Sequence, residues 1–215
     1  MYEPTEETIH DDPNQRPVVN RQHSQAAFRK MTYGGVVNQY VYENGELKPN
    51  PVFLELNKER DRYYVEAYAN MGMELVQRPG FFYVRPLTND DDEAYDQEGT
   101  TAVRQIQGVL MVLARGVTKK GYFYDLLTQP ELGVPQELIQ EIGEESMMQE
   151  ILAACGVTKP LAEAAKSALV DRDIAYLNSR GNLVLAEAGK GFFSDLFRDA
   201  AELNTSLPAQ EHSGE

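Results

Sequence analysis

The chain is 215 residues long, enough for one large domain or two small ones with a real core. Its 42% hydrophobic and 25% charged residues exclude a disordered chain and fit a folded soluble protein. Asp and Glu number 34 against 20 Lys and Arg, and a formal net charge of -14 counts against a free-standing protein that coats nucleic acid.

The acids are unevenly spread. They cluster from Glu3 to Asp12, from Asp90 to Glu98, and from Asp125 to Glu150, a span that holds no Lys or Arg. Lys159, Lys166, Arg172, Arg180, Lys190 and Arg198 nearly balance the acids around them, so any phosphate contact belongs to that tract. No apolar run approaches the roughly 20 residues that cross a bilayer. The N-terminus also lacks a basic start before an apolar run, which points to the cytoplasm and to no membrane partner. Cys155 is the single cysteine; it lies in an apolar run and reads as a buried small hydrophobe in a reducing compartment.

Residues 1–20 are acidic, carry Pro4, Pro13 and Pro17, and show almost no apolar periodicity, so they read as a mobile tail, as do residues 205–215. A first domain is expected over 21–87. Within it, Pro51 to Met71 places Phe53, Leu56, Tyr63, Ala67 and Met71 on one helical face, and Gly72 is a natural stop. Two β-type runs, Met73 to Gln77 and Phe81 to Val84, flank Pro79-Gly80 as a hairpin, and helix then hairpin is the ending of a winged helix. The polar acidic stretch 88–99 reads as a linker.

A second domain is expected over 100–204. It opens with a helix carrying Val103, Ile106, Val109, Leu110 and Leu113 and ending near Gly116. Short helices over Tyr122 to Leu127, Gln136 to Ile142 and Ser146 to Ala154 are separated by Pro130, Gly133, Pro135 and Gly143. Thr158 is the expected cap of the next helix, which has Pro160 in its first turn and Leu161, Ala165, Ala168 and Leu169 on its buried face. Ile174 to Leu177 and Asn182 to Leu185 form a hairpin around Asn178 to Gly181. A terminal helix carries Phe192, Phe193, Leu196, Phe197, Ala200 and Leu203. The expected fold class is mainly α with short β-hairpins (α+β), arranged as tandem winged-helix domains. No element is assigned between residues 21 and 50.

The run Gly72-Met-Glu-Leu-Val-Gln-Arg-Pro-Gly-Phe-Phe-Tyr-Val-Arg-Pro86 resembles a stretch of MukE-type subunits, with its Glu-Leu strand, Pro-Gly turn, Phe-Phe-Tyr and Arg-Pro. The likeness extends through Tyr124 to Leu127, Leu161 to Arg172, Ile174 to Leu185 and Lys190 to Ala200, about two thirds of the chain. The shorter tract before Thr158 favours the MksE-like branch. The resemblance implies a pair of winged-helix domains that dimerise, grip a kleisin subunit (MukF or MksF) and join an SMC ATPase (MukB or MksB). Such complexes organise and segregate the chromosome at the nucleoid, and related Wadjet systems act against plasmids.

Local chemistry gives no catalytic or metal centre. His10 and His212 fall in the expected tails, and His23 has no acid and nucleophile beside it. One Cys and scattered His cannot supply a zinc set, and Asp90-Asp-Asp-Glu93 lacks the spacing of a calcium loop. Gly189-Lys190-Gly191 would need a glycine at position 184, which is Val184, so it is not a phosphate loop. No cofactor is expected, and ATP chemistry belongs to a partner chain.

Two residue sets carry the functional expectation. Lys159, Lys166, Arg172, Arg180 and Lys190 either contact DNA phosphates non-specifically from a recognition helix and wing, or form a solvated face with pairs such as Glu163 with Lys166. Phe81, Phe82 and Tyr83 cannot all face one way on a strand, so one side meets the other domain, a second copy of the chain or a kleisin segment. Phe192, Phe193 and Phe197 form a wide stripe that reads as core first and dimer contact second. The function expected is a non-enzymatic accessory subunit of an SMC complex. A stand-alone winged-helix regulator is the rival, and the charge counts against it.

Overall fold

A computed structural model describes residues 19–87 and 96–206, the side chains of 96–100 and 197–206 excepted. Most of the expected tails, residues 88–95 of the expected linker, His10, His212 and the side chain of Phe197 lie outside the described residues.

The N-terminal half begins with helix α1 (Arg21–Thr32), whose first turn is capped by Asn20; its side-chain oxygen accepts from the N–H groups of Gln22 and His23. Strand β1 (Val37–Asn38) follows, then a hairpin of β2 (Tyr40–Glu43) and β3 (Glu46–Pro49) around Asn44 and Gly45, both at positive φ. Helix α2 (Pro51–Lys58) is capped by Asn50, and α3 (Val65–Ala69) leads into hairpin β4 (Met73–Arg78) and β5 (Phe81–Pro86). The sheet order is β1-β5-β4, all antiparallel.

The helix expected to run from Pro51 to Met71 is interrupted by a wider π turn over Arg60–Tyr64. A π turn inserts residues relative to the 3.6-residue repeat. The buried stripe accordingly moves on by one position: Tyr64 and Tyr68 are buried, while Tyr63 and Met71 are exposed.

In the C-terminal half, α4 (Asp96–Lys119) begins inside the span read as linker. Gly116 does not stop it. The residue is buried, and a Cβ there would lie 2.3 Å from Ile142, so glycine lets α6 (Gln136–Gly143) approach α4. Next to these stand α5 (Asp125–Thr128) and α7 (Ser146–Ala154). Helix α8 starts at Leu161 and continues from Lys166 to Val170 as a second π turn; Pro160, rather than Thr158, occupies its cap position and gives no side-chain cap bond. Hairpin β6 (Ala175–Leu177) and β7 (Leu183–Leu185) and the long α9 (Glu187–Ser206) complete the chain.

The two halves repeat one winged-helix-like plan. In the first half β1 pairs with the second hairpin strand, Val37 opposite Phe82, and in the second an isolated bridge sets Val134 opposite Leu183. The fold is mixed α+β with small antiparallel sheets.

The halves are joined through β1 and β5. Alternation along a strand sends neighbouring side chains to opposite faces. Val37 and Phe82, register partners, belong to the N-terminal core, whereas Val36 and Phe81 belong to the C-terminal core. Asn38, opposite Phe81 and only 5% exposed, makes the polar join: its Nδ2 donates to the Asp173 carbonyl at 2.6 Å, and its Oδ1 accepts from the Ala188 N–H at 3.0 Å. The Val36 N–H donates to the Arg172 carbonyl at 3.0 Å.

Asn38→Ala is expected to leave these groups unpaired and to lower stability by about 2–3 kcal/mol, read from the urea midpoint. A loss below about 0.5 kcal/mol would contradict the joining role. Burial also pushes the hydroxyls of Tyr64 and Tyr176, one in each half, up to about 12. Above pH 10 the unfolded chain loses these protons while the fold retains them, so stability is expected to fall between pH 10 and 12, measurable as a declining Tm.

Candidate partner and nucleic-acid surfaces

The five cations do not converge on one face. Lys159 and Lys166 are both exposed on or beside α8, but they line different depressions. Lys159 borders one with Gln105, Thr158 and Ser167, and Lys166 borders another with Gln136, Glu163 and Leu177. Glu163 and Lys166 share that second depression, yet no ion pair joins them among the described residues. Lys190 is half-buried in the first turn of α9.

Arg172 is engaged inside the molecule. Its Nη1 donates to the carbonyl of Gly34 at 3.0 Å and to that of Tyr33 at 3.4 Å, just past the end of α1. Beside it, Lys30 pairs with Asp173 at 2.5 Å. This guanidinium braces the two halves through its Nη1, which is directed at backbone carbonyls. Arg180 is exposed in the turn of the second hairpin. That turn is fixed by buried Asn178, which accepts from the N–H groups of Arg180 and Asn182 and donates to the carbonyls of Pro130 and Leu132. The first half also supports the wing: Tyr42 stacks on Tyr176 with centroids 4.8 Å apart, and its hydroxyl accepts from the Ser179 N–H at 3.1 Å.

The aromatic set is divided among several contacts. Phe81 and Phe82 are 2% and 0% exposed, each in a different core. Tyr83 and Phe192 pack edge to face at 5.9 Å, and Phe81 meets Phe192 at 5.2 Å, so this cluster seals the junction between halves. Gly191 makes room for it, since a Cβ there would lie 2.8 Å from the Phe81 ring. Phe193 turns elsewhere and stacks on Tyr124 at 4.4 Å.

That stack forms part of the wall of an apolar groove of about 540 Å³ on the C-terminal half, lined by Ala114, Arg115, Thr118, Lys119, Tyr124, Met147, Met148 and Phe193. Met148 is buried beneath it and Met147 is 54% exposed. Tyr122 and Phe123, in the turn leading to Tyr124, are exposed as well. Of these residues the sequence reading singled out only Phe193 as a contact. The available signal was the Tyr122-Phe-Tyr124 run ahead of one short helix and the Met147-Met148 pair in the first turn of another. A second cleft, between α1 and α3, is lined by Phe28, Arg29, Tyr63, Tyr64, Tyr68 and Met71.

Among the described residues no group of three or more His, Cys, Asp or Glu is placed to hold a metal ion. No described helix is long and apolar enough to cross a membrane.

Because Arg172 bonds to the backbone, Arg172→Ala is expected to lower stability by about 1–2 kcal/mol, whereas Lys166→Ala changes it by less than about 0.5 kcal/mol. Equal thermal shifts for the two variants would refute this division. A family model described as condensin complex protein MksE matches residues 22–197, and no curated protein matches the chain.

Proposed function

The chain belongs to the MksE family of condensin complex proteins, and on that premise we propose that it is a non-enzymatic accessory subunit that binds a kleisin of the MukF or MksF kind. Through the kleisin it joins an SMC ATPase of the MukB or MksB kind, as a homodimer, in the cytoplasm at the nucleoid. Its work there is to support chromosome organisation and segregation.

One observation carries this reading most directly. Two winged-helix-like halves are tied into one body by β1, β5, Asn38 and Arg172, while a broad apolar groove stays open on the second half. A part of that design suits a subunit that presents surfaces to other chains. The division of the chain into two winged-helix domains, about 21–87 and 100–204, is part of the proposal.

Direct DNA contact, within this proposal, is assigned to Lys159, Lys166, Arg180 and Lys190 and is non-specific. Ammonium and guanidinium groups neutralise phosphates without reading bases, and each neutralised phosphate contributes about 0.9 to the log-log salt slope. Arg172 is better kept out of the test, because its substitution disturbs the fold.

The first test is co-expression of the tagged chain with the kleisin and SMC subunits. A single complex on size exclusion is expected, and a chain that elutes alone after stringent washing would count against the subunit role. The second test is the Lys159→Glu, Lys166→Glu double variant in the assembled complex. Assembly should be unchanged, and the salt slope of DNA retention should fall by up to about 2. An unaltered slope would remove these lysines from the DNA surface.

A further inference from the structure

We infer that the groove between α4, α7 and α9 docks an amphipathic helix of a partner chain whose apolar anchors are flanked by acidic residues; the inference rests on the subunit role proposed above and assigns it a site.

The lining is apolar where a peptide would be gripped. Buried Ala114 and Met148 and the stacked Tyr124 and Phe193 line it, and Met147 stands 54% exposed beside them. Methionines adapt to the shape of an inserted side chain, and grooves between helices receive apolar anchors spaced three, four and seven residues apart. The volume of about 540 Å³ lies in the ordinary range for specific clefts and accommodates a few anchor side chains. Phe123, 83% exposed beside Tyr124, extends the apolar surface past the rim.

Charge selects the partner. The chain carries a formal charge of -14, yet both charged residues that line the groove, Arg115 and Lys119, are cations. Two acids near the groove wall are engaged by lysines. Glu145 pairs with Lys119 at 2.6 Å, a contact that holds its carboxyl below the usual range, and Lys120 pairs with Glu141 at 3.4 Å. No carboxylate among the described residues pairs with Arg115, which is exposed. A peptide with acids beside its anchors gains that pairing, whereas a basic peptide meets like charge. A phosphate backbone would satisfy Arg115 but leave the exposed Met147 side chain in water.

The test uses full-length chain and purified kleisin. Met147→Glu and Arg115→Glu each alter an exposed side chain and are expected to leave Tm unchanged while weakening kleisin binding at least tenfold by fluorescence anisotropy. The loss for Arg115→Glu should shrink as salt rises, since the repulsion it introduces is screened. A photo-crosslinking residue at position 147 should join a kleisin segment rich in Asp and Glu, and one at Leu54, exposed on the first half, should not. Undiminished binding by both variants would overturn the inference, as would crosslinking at 147 to a second copy of this chain; either result leaves the subunit role standing. Failure of the unaltered chain to bind kleisin would instead sink the subunit role, and this inference with it.

Discussion

The arrangement of the whole molecule depends on the two-faced geometry of a short antiparallel pair. Val36 and Val37 on one side, and Phe81 and Phe82 on the other, each send one side chain into either core. A single strip of backbone is thereby the wall of both halves. Burying each phenylalanine is worth about 1.5–3 kcal/mol, so neither half reaches its full stability without the other. The wall also has to satisfy its polar atoms. Asn38 does so by spanning from Asp173 to Ala188 with its two side-chain atoms, and its size and dual donor-acceptor character suit it to that position.

Around this wall the electrostatics are local. Part of the chain's negative charge is offset pair by pair: Lys119 at the end of α4 and the following Lys120 stand opposite Glu145 and Glu141, and Lys30 of α1 stands opposite Asp173. Such exposed pairs contribute little stability individually. Their effect is to fix which charges stay unpaired among the described residues, and Arg115, on the lining of the groove, is one of them.

Much of this fold was legible in the sequence, because helix and strand periods are enforced wherever one face is buried. Ser146–Ala154 and the β4–β5 hairpin stand where apolar spacing and Pro79-Gly80 place them. The misreadings have physical causes. A π turn at Arg60–Tyr64 changes the period midway along a helix, and periodicity cannot foresee it. Gly116 looks like a stop but is a point of close helix contact. The Asn44-Gly45 turn between two alternating runs was a readable hairpin signal that went unused. The surfaces were less legible than the fold. Lys159, Lys166 and Arg172 are spaced along one segment, yet their heads reach two depressions and a pair of carbonyls, because side-chain direction depends on neighbours distant in sequence. The groove combines α4, α7 and α9, and only the tertiary fold brings Ala114, Met147 and Phe193 together.

The shared wall also bears on how the protein is made. The ribosome releases the first half complete to Leu87 long before Gly191 and Phe192 emerge, yet those residues form the pocket for Phe81. Throughout that interval the nascent chain displays one apolar face of a hairpin that has no cover, and such a face invites stray association. Synthesis therefore leaves the Phe81 face bare until the start of the last helix has been made.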